Sequence, residues 1–158
     1  MSESEIHDAV LFCNELELLE IRLHELSEVV NRFVVVEATQ TFRGGPKPLT
    51  FVRHRSRFAA FDDRIDHLVV DDLPDGDDAW AREWHQRNAI ARAFVDCPPN
   101  TIVMLSDADE IPARSAVKAL RSAAMPAGLM QPVHYGWVDV RSVTPESHCR
   151  WIGTRATT

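Results

Sequence analysis

The sequence lacks the signatures of several protein classes. Its three cysteines (Cys13, Cys97 and Cys149) are widely spaced and form no CxxC pair, so neither a zinc site nor a disulfide framework is indicated. We therefore expect a reducing compartment, the cytoplasm. No apolar run approaches the roughly 20 residues that a membrane span needs. The acidic residues near the start are unlike the basic region of a signal peptide.

A basic surface and the common catalytic loops are also missing. The formal charge of −7 at pH 7 argues against a nucleic acid as partner, because phosphate-backbone binding needs a basic face. One phosphorylated small molecule, held by a metal and a few arginines, remains compatible with this charge. The chain has no glycine-rich phosphate loop of the Walker or Rossmann type and no GxSxG motif. Candidate chemistry therefore rests on its acidic residues.

Apolar segments alternate with segments of helical periodicity along the chain. Buried strands are predicted at 8–13, 33–38, 65–70 and 102–106, and helices at 16–30, 52–61, 79–95 and 113–124. Continuous apolar strands joined by helices predict an α/β fold, with a mostly parallel sheet and helices on both faces. Later strands are expected within 128–140 and at 151–154. We expect a single domain over 1–158, incomplete at its C-terminus because the last strand has no closing element.

Two acids, Asp107 and Asp109, directly follow the strand at 102–106. Open α/β sheets bind ligands at the carboxyl ends of their strands. A turn there could bring both carboxylates onto one Mg²⁺ or Mn²⁺, with positions left for substrate phosphates. In the alternative interpretation, these acids only cap a helix that begins near Pro112. Asn14, which is also a candidate helix N-cap, and Glu37 follow two other strands at the same predicted edge, which favours a polar cleft.

The predicted helix at 79–95 carries both large apolar and large polar side chains. We expect Trp80 and Trp84 on its apolar, buried face, and Arg82 and Gln86 on an exposed face. Arg87 lies nearer the apolar face, where a buried guanidinium must be paired. The strand-end acids are its expected partners.

Six parts of the sequence together resemble glycosyltransferase family 17. They are residues 12–23, 35–39, 46–49, 80–83, 86–88 and 106–112. The resemblance implies a GT-A fold, a Rossmann-like sheet that binds a nucleotide sugar through a DxD motif and a divalent metal. It also implies a UDP-sugar donor, UDP-N-acetylglucosamine, and transfer to a sugar hydroxyl of a glycan or other acceptor with inversion at the anomeric carbon.

The resemblance assigns roles to particular residues. Asp107 and Asp109 match the DxD acids and are expected to hold Mn²⁺ or Mg²⁺, with Asp107 also contacting the donor. Further substrate-binding residues expected in the same cleft are Asn14, Glu37, Arg82 and Arg87. No catalytic base is assigned. Two other functions remain open: a nucleotide-sugar-binding module without transfer activity, and an acidic interaction domain whose strand-end acids only cap helices.

Overall fold

A computed structural model describes residues 3–134 and 150–158, and the strands of this part of the chain form one sheet. The strands are β1 (Ile6–Phe12), β2 (Arg32–Ala38), β3 (Ile65–Val70), β4 (Ile102–Asp107), β5 (Ala127–Pro132) and β6 (Arg150–Thr157). The α-helices are α1 (Leu16–Leu26), α2 (Thr50–Arg53), α3 (Ala79–Ala89) and α4 (Arg114–Ala119). Short 3₁₀ helices lie at Arg55–Arg64, Ile90–Phe94 and Leu120–Ser122.

The sheet has the strand order β3-β2-β1-β4-β6-β5. β1 pairs in parallel with both β2 and β4, and β2 pairs in parallel with β3. β6 runs antiparallel to β4 and to β5. The predicted α/β fold with a mostly parallel sheet is therefore confirmed. Of the strand structure expected within 128–140, β5 is observed, whereas 135–140 lie outside the described residues.

Apolar side chains cover both faces of the parallel strands, as predicted. On one face, α1 contributes the fully buried Leu19, Leu23 and Leu26, which pack with residues of β1 and β2. On the other face, Ala89 and Ile90 at the end of α3 pack over Val34 and Val36. Truncating one of the α1 leucines to alanine should cost about 2–5 kcal/mol of stability.

The β4 strand is less fully buried than β1 and β2. Its residues alternate between buried and half-buried, with Ile102 and Met104 inside and Val103 and Leu105 partly exposed. Val103 and Leu105 line an open apolar groove of about 800 Å³ that extends to β6. The other wall of this groove comes from α3 and the 3₁₀ helix that follows it, including Asn88 and Phe94. Asp107 follows the same alternation and therefore lies on the α3 side of the sheet.

The orientation predicted for α3 is also wrong. Trp80 and Trp84 are 69% and 61% exposed, whereas Arg82 and Gln86 are buried. The Gln86 side chain donates from Nε2 to the carbonyl oxygen of Val36 at 3.0 Å, and Arg82 donates to loop carbonyls. The physical reason is that a buried polar side chain is stable when it satisfies backbone acceptors at the sheet edge. The two tryptophans lie on the opposite, exposed face of the helix.

The helices are shorter than the sequence predicted. The α1 helix ends at Leu26 and α3 at Ala89, where a 3₁₀ segment takes over. Asn14 is not the N-cap of α1. Glu15 occupies that position without a side-chain capping bond. Among the helices of residues 3–134 and 150–158, none combines the length and the apolar character that crossing a membrane requires.

Candidate functional site

A cleft of about 320 Å³ opens where β1 and β4 end, between the loop after β1, the loop after β2 and α3. This is the edge at which the sequence predicted a ligand site. The residues that line it are Leu11, Phe12, Cys13, Glu15, Leu18, Phe42, Glu83, Gln86, Arg87, Asp107, Ala108 and Asp109. Three of the predicted site residues are therefore brought together: Arg87, Asp107 and Asp109.

The two aspartates lie on a tight turn that Glu110 closes. The Glu110 amide donates to the Asp107 carbonyl oxygen at 3.1 Å, and the Asp107 amide donates to Glu110 Oε2 at 3.0 Å. The Asp107 side chain is 49% exposed and Asp109 is exposed. The α4 helix begins after Ala113 without a side-chain cap, so the alternative in which these acids cap a helix is wrong.

Glu110 is committed to protein contacts. Its Oε1 accepts a hydrogen bond from the Trp151 indole, and its carbonyl oxygen accepts one from Thr154 Oγ1 at 3.1 Å. A side chain at Gly153 would approach the Glu110 Cβ at 3.2 Å, so β6 packs closely against the turn. The turn is therefore tied to β6, and the acids that it presents to the cleft are Asp107 and Asp109.

Arg87 pairs with a strand-end acid, as predicted. Its Nη2 lies 3.0 Å from Asp107 Oδ1 and 3.4 Å from Glu83 Oε1. The side chain is only 20% exposed, so the pair with Asp107 is partly shielded from water. The guanidinium thus holds one oxygen of Asp107, and no basic side chain among the described residues forms an ion pair with Asp109.

The cleft carries an excess of negative charge. Its described lining includes four carboxylates (Glu15, Glu83, Asp107 and Asp109) but one basic side chain, Arg87. Neighbouring carboxylates repel one another and would also repel an anionic ligand. A divalent cation at the aspartates would reverse this local balance.

Glu37, at the end of β2, lies outside the cleft. Its carboxylate is fully buried and accepts four hydrogen bonds, from Lys47 Nζ (2.9 Å), the amides of Thr50 (2.6 Å) and Phe51 (3.2 Å), and His67 Nε2 (3.1 Å). Burial alone would raise the pKa of this carboxyl, but the bonds from His67, Lys47 and Thr50 outweigh it and hold the pKa below its ordinary value. The side chain anchors the 41–50 loop and the start of α2.

Arg82 does not line the cleft either. It is buried, donates from Nη1 to the Phe42 carbonyl oxygen at 3.0 Å, and bonds the Gly76 carbonyl oxygen through Nη2. Gly44 has a φ of +83°, and a Cβ there would lie 3.1 Å from the guanidinium, so glycine suits both its conformation and the close contact. Arg82 thereby holds the loop that brings Phe42 to the cleft.

Asn14 lies at the rim and is exposed. It lies between Cys13 and Glu15, which both line the cleft, but it is not itself a lining residue. The Glu15 carboxylate accepts from the backbone amides of Cys13 (2.9 Å) and Asn14 (3.0 Å), which fixes the turn after β1. The structure therefore brings the predicted residue near the cleft rather than into it.

Sequence reasoning missed several lining residues of the cleft, among them Phe42 and Gln86. Gln86 precedes Arg87 in a helix crowded with polar side chains. Its helical face was predicted to be exposed but is buried. Phe42 lies in a loop, and no periodic pattern marks a loop aromatic as part of a site.

Comparison with known proteins identifies the family of the chain. The sequence profile described as Glycosyltransferase family 17 matches residues 1–135. The β-1,4-mannosyl-glycoprotein 4-β-N-acetylglucosaminyltransferases of Rattus norvegicus and Homo sapiens are each 32% identical over 122 residues, which is 72% of this chain. The chain spans 23% of the length of these curated relatives.

A solved structure shares the fold. The mannosyltransferase PcManGT from Pyrobaculum calidifontis, determined in complex with GDP-Man and Mn²⁺, superposes with a TM-score of 0.54 at 19% identity. The match covers 85% of this chain and 36% of that chain. At this identity the likeness supports the GT-A-like sheet alone. Taken with the profile match over residues 1–135, the chain belongs to glycosyltransferase family 17.

Proposed function

We propose that this chain binds a nucleotide-sugar donor through a divalent metal held by Asp107 and Asp109, and that it acts in glycosyl transfer. The main support for this proposal is the acid-rich cleft at the end of β4, with two exposed or half-exposed aspartates on one turn and Arg87 beside them. A diphosphate would be repelled by four carboxylates unless a cation neutralised them. The metal and the donor are therefore proposed to bind together.

The two aspartates suit Mn²⁺ or Mg²⁺. Both ions prefer oxygen ligands, and Mg²⁺ in particular is usually held by one or two carboxylates together with water and substrate phosphates. Residues 3–134 and 150–158 contain no group of three or more His, Cys, Asp or Glu side chains arranged to hold a metal. A donor diphosphate would thus complete the coordination. When bound, the metal supplies Lewis-acid stabilisation of the departing diphosphate.

We assign distinct roles to the three residues. Asp109, which is exposed and has no ion-pair partner within residues 3–134, is the more direct metal ligand, and Asp107 contributes a ligand oxygen and a contact to the donor. Arg87 orients Asp107 through the 3.0 Å bond and offers positive charge to the phosphates. Arg82 and Glu37 act on substrate indirectly, by anchoring the loop that carries Phe42 and the start of α2. Asn14 is proposed to contact the donor from the rim.

The proposed donor is UDP-N-acetylglucosamine, with inversion at the anomeric carbon on transfer to a sugar hydroxyl. Support comes from the curated relatives, whose names specify N-acetylglucosamine transfer to a mannosyl glycoprotein. A carboxylate acting as general base would accept the proton of the acceptor hydroxyl. We assign this role to no described residue. The alternative is a nucleotide-sugar-binding module that does not transfer the sugar.

Calorimetry tests the proposal. UDP-N-acetylglucosamine should bind the parent chain in Mn²⁺ and bind much more weakly in EDTA, since the two ligands are linked. Asp109→Ala should lose this metal dependence, whereas Asp63→Ala, which removes an exposed aspartate outside the cleft, should retain it. Equal affinity for the donor in Asp109→Ala and in the parent in Mn²⁺ would refute the assignment. GDP-mannose, the ligand in the PcManGT structure, serves as the competing donor.

A second assay separates the enzyme from the binding module. The chain is incubated with Mn²⁺, UDP-N-acetylglucosamine and a mannose-containing acceptor, and the release of UDP and the appearance of product are followed. Transfer that Asp109→Ala abolishes supports the enzyme. Tight donor binding without hydrolysis or transfer supports the binding module.

We also propose that the chain works in a reducing, cytoplasmic compartment. The support is the cysteine pattern, three widely spaced residues without a CxxC pair. Fractionation of the source cells, with the chain detected by antibody, tests this location.

A further inference from the structure

A fully buried ion pair lies directly beneath the Asp107–Glu110 turn. Asp8, in the middle of β1, and Arg22, on α1, are both 0% exposed. Arg22 Nε and Nη2 each lie 2.7 Å from one carboxylate oxygen of Asp8, which makes a two-pronged contact. Burying two charges is costly unless the geometry is good and the remaining donors are satisfied. The pair therefore calls for a reason beyond stability.

The remaining donors of Arg22 go to the end of β4. Its Nη1 donates to the carbonyl oxygens of Asp107 (3.2 Å) and Glu110 (3.1 Å), and its Nη2 also donates to Ser106 Oγ (2.5 Å). These three bonds and the two to Asp8 account for all five N–H groups of the guanidinium. One buried cation thus grips both ends of the four-residue turn from below, while the aspartate side chains face the cleft from above.

We propose that Arg22 is a positioning residue for the metal site, held in place by Asp8, and that it fixes the backbone from which Asp107 and Asp109 project. The inference rests on the proposed function, since it concerns the same metal site. The rigid planar fork of arginine suits this task, because lysine offers a single flexible ammonium. Residues that orient metal ligands in this way typically change metal affinity about 10- to 100-fold when removed.

A purely structural role would look different. In that case the pair would only join α1 to β1, and its loss would lower stability without changing the metal affinity of the molecules that stay folded. The test therefore compares two variants. Asp8→Leu with Arg22→Met replaces the pair by apolar side chains of similar volume, which usually preserves folding. Leu23→Ala truncates a fully buried neighbour on α1 and destabilises the same helix while Asp8 and Arg22 both stay in place.

Two quantities are measured at a temperature where each variant is folded. The first is the affinity for Mn²⁺ in the presence of UDP. We expect it to fall about 10- to 100-fold in the double variant and to stay at the parent's value in Leu23→Ala. The second is hydrogen exchange at the Asp107 and Glu110 amides, which hold the turn closed. Exchange should accelerate in the double variant relative to Leu23→Ala. A folded double variant with the parent's Mn²⁺ affinity and exchange rates would overturn the proposal.

Arg22→Lys keeps the assignment testable if the double variant does not fold. It retains a positive charge beside Asp8 but offers only three N–H donors for the five bonds that Arg22 makes, so the same loss of affinity and faster exchange are expected. Parent-like values in Arg22→Lys would contradict the proposal. The exchange measurement needs no metal. If the parent itself binds no Mn²⁺ with UDP, the proposed function fails, while faster exchange in the variants still supports anchoring of the turn by Arg22.

Discussion

Glu37 and Asp107 occupy similar places in the sheet but differ in what surrounds them. Each ends a strand that pairs in parallel with β1, opposite Phe12 and Leu11 respectively. Glu37 is fully buried and accepts four hydrogen bonds, whereas the side chain of Asp107 is 49% exposed and meets one cation, Arg87. A strand-end acid is therefore a candidate ligand only where the next loop leaves it open. The loop after β2 folds back over Glu37, whereas the turn after β4 leaves Asp107 open to the cleft.

The largest expected effect is a loss of stability when the buried acid Glu37 is changed. Glu37→Gln should lower the free energy of unfolding by about 3–5 kcal/mol, because it leaves the ammonium of Lys47, which is 10% exposed, without its carboxylate. Urea denaturation measures the change. Glu17→Gln is the control, since Glu17 pairs with Arg57 on the surface and is 75% exposed, and its loss should change little. Equal losses for the two variants would mean that the Glu37 cluster is no anchor.

Removing the metal should affect only the site formed by Asp107 and Asp109. Mn²⁺ with UDP-N-acetylglucosamine at 100 times its Kd should stabilise the parent by about 2.7 kcal/mol, and EDTA should remove this gain. Glu37→Gln should keep the gain despite its lower stability. Asp109→Ala should lose the gain while its ligand-free stability stays within about 0.5 kcal/mol of the parent's, because the residue is exposed. Thermal unfolding with and without ligand measures all three. If Asp109→Ala retained the gain, the exposed aspartates after β4 would not differ from the buried Glu37 in their role in metal binding.

A smaller effect is expected at Arg87. Arg87→Gln should weaken binding of UDP-N-acetylglucosamine in Mn²⁺ about 10-fold, the order of one charge-assisted hydrogen bond. Binding of Mn²⁺ alone should not weaken, since Asp107 loses a competing cation. Arg92→Gln removes an arginine paired with Asp72 outside the cleft and should leave both affinities unchanged. If the donor binds Arg87→Gln as it binds the parent, Arg87 serves only to orient Asp107.

The pH dependence of stability sharpens the same contrast. The folded pKa of Glu37 lies below its ordinary value of 4.5, because bonds from His67, Lys47 and Thr50 outweigh the effect of burial. Its contribution is therefore complete above pH 4.5 and is lost as the pH falls through the folded pKa. Urea midpoints of the parent should decline over this acidic range more steeply than those of Glu37→Gln. Parallel curves would show that the carboxylate gains nothing from its partners.

The sequence predicted the parallel strands and the open acids well, and the polar helix poorly. Continuous apolar runs at β1 and β2 reflect burial on both faces, so their positions follow from local composition. Asp107 and Asp109 directly follow such a run. By contrast, the burial of Arg82 and Gln86 depends on carbonyl oxygens of Phe42 and Val36, which are distant in the chain. Helical periodicity alone could not show those acceptors.

The pair between Asp8 and Arg22 was missed for a similar reason. Asp8 lies with Ile6 and Val10 on the face of β1 that packs against α1. A charge is tolerated there only if a partner lies opposite. Arg22 occupies the buried face of α1 with Leu19 and Leu26. Each residue by itself looks like an exception to its pattern. The packing of α1 on β1 makes the two exceptions explain each other.

Paramagnetic broadening by Mn²⁺ would locate the bound metal on the chain. The amide signals of the chain are recorded by NMR with UDP-N-acetylglucosamine present, and Mn²⁺ is then titrated in at a fraction of the protein concentration. We predict that broadening is strongest at the amides of Asp107, Ala108 and Asp109 and weaker at Thr50 and Phe51, which donate to the buried Glu37. Broadening centred on the acidic loop at 71–78, or near Glu37, would contradict a metal site at the end of β4.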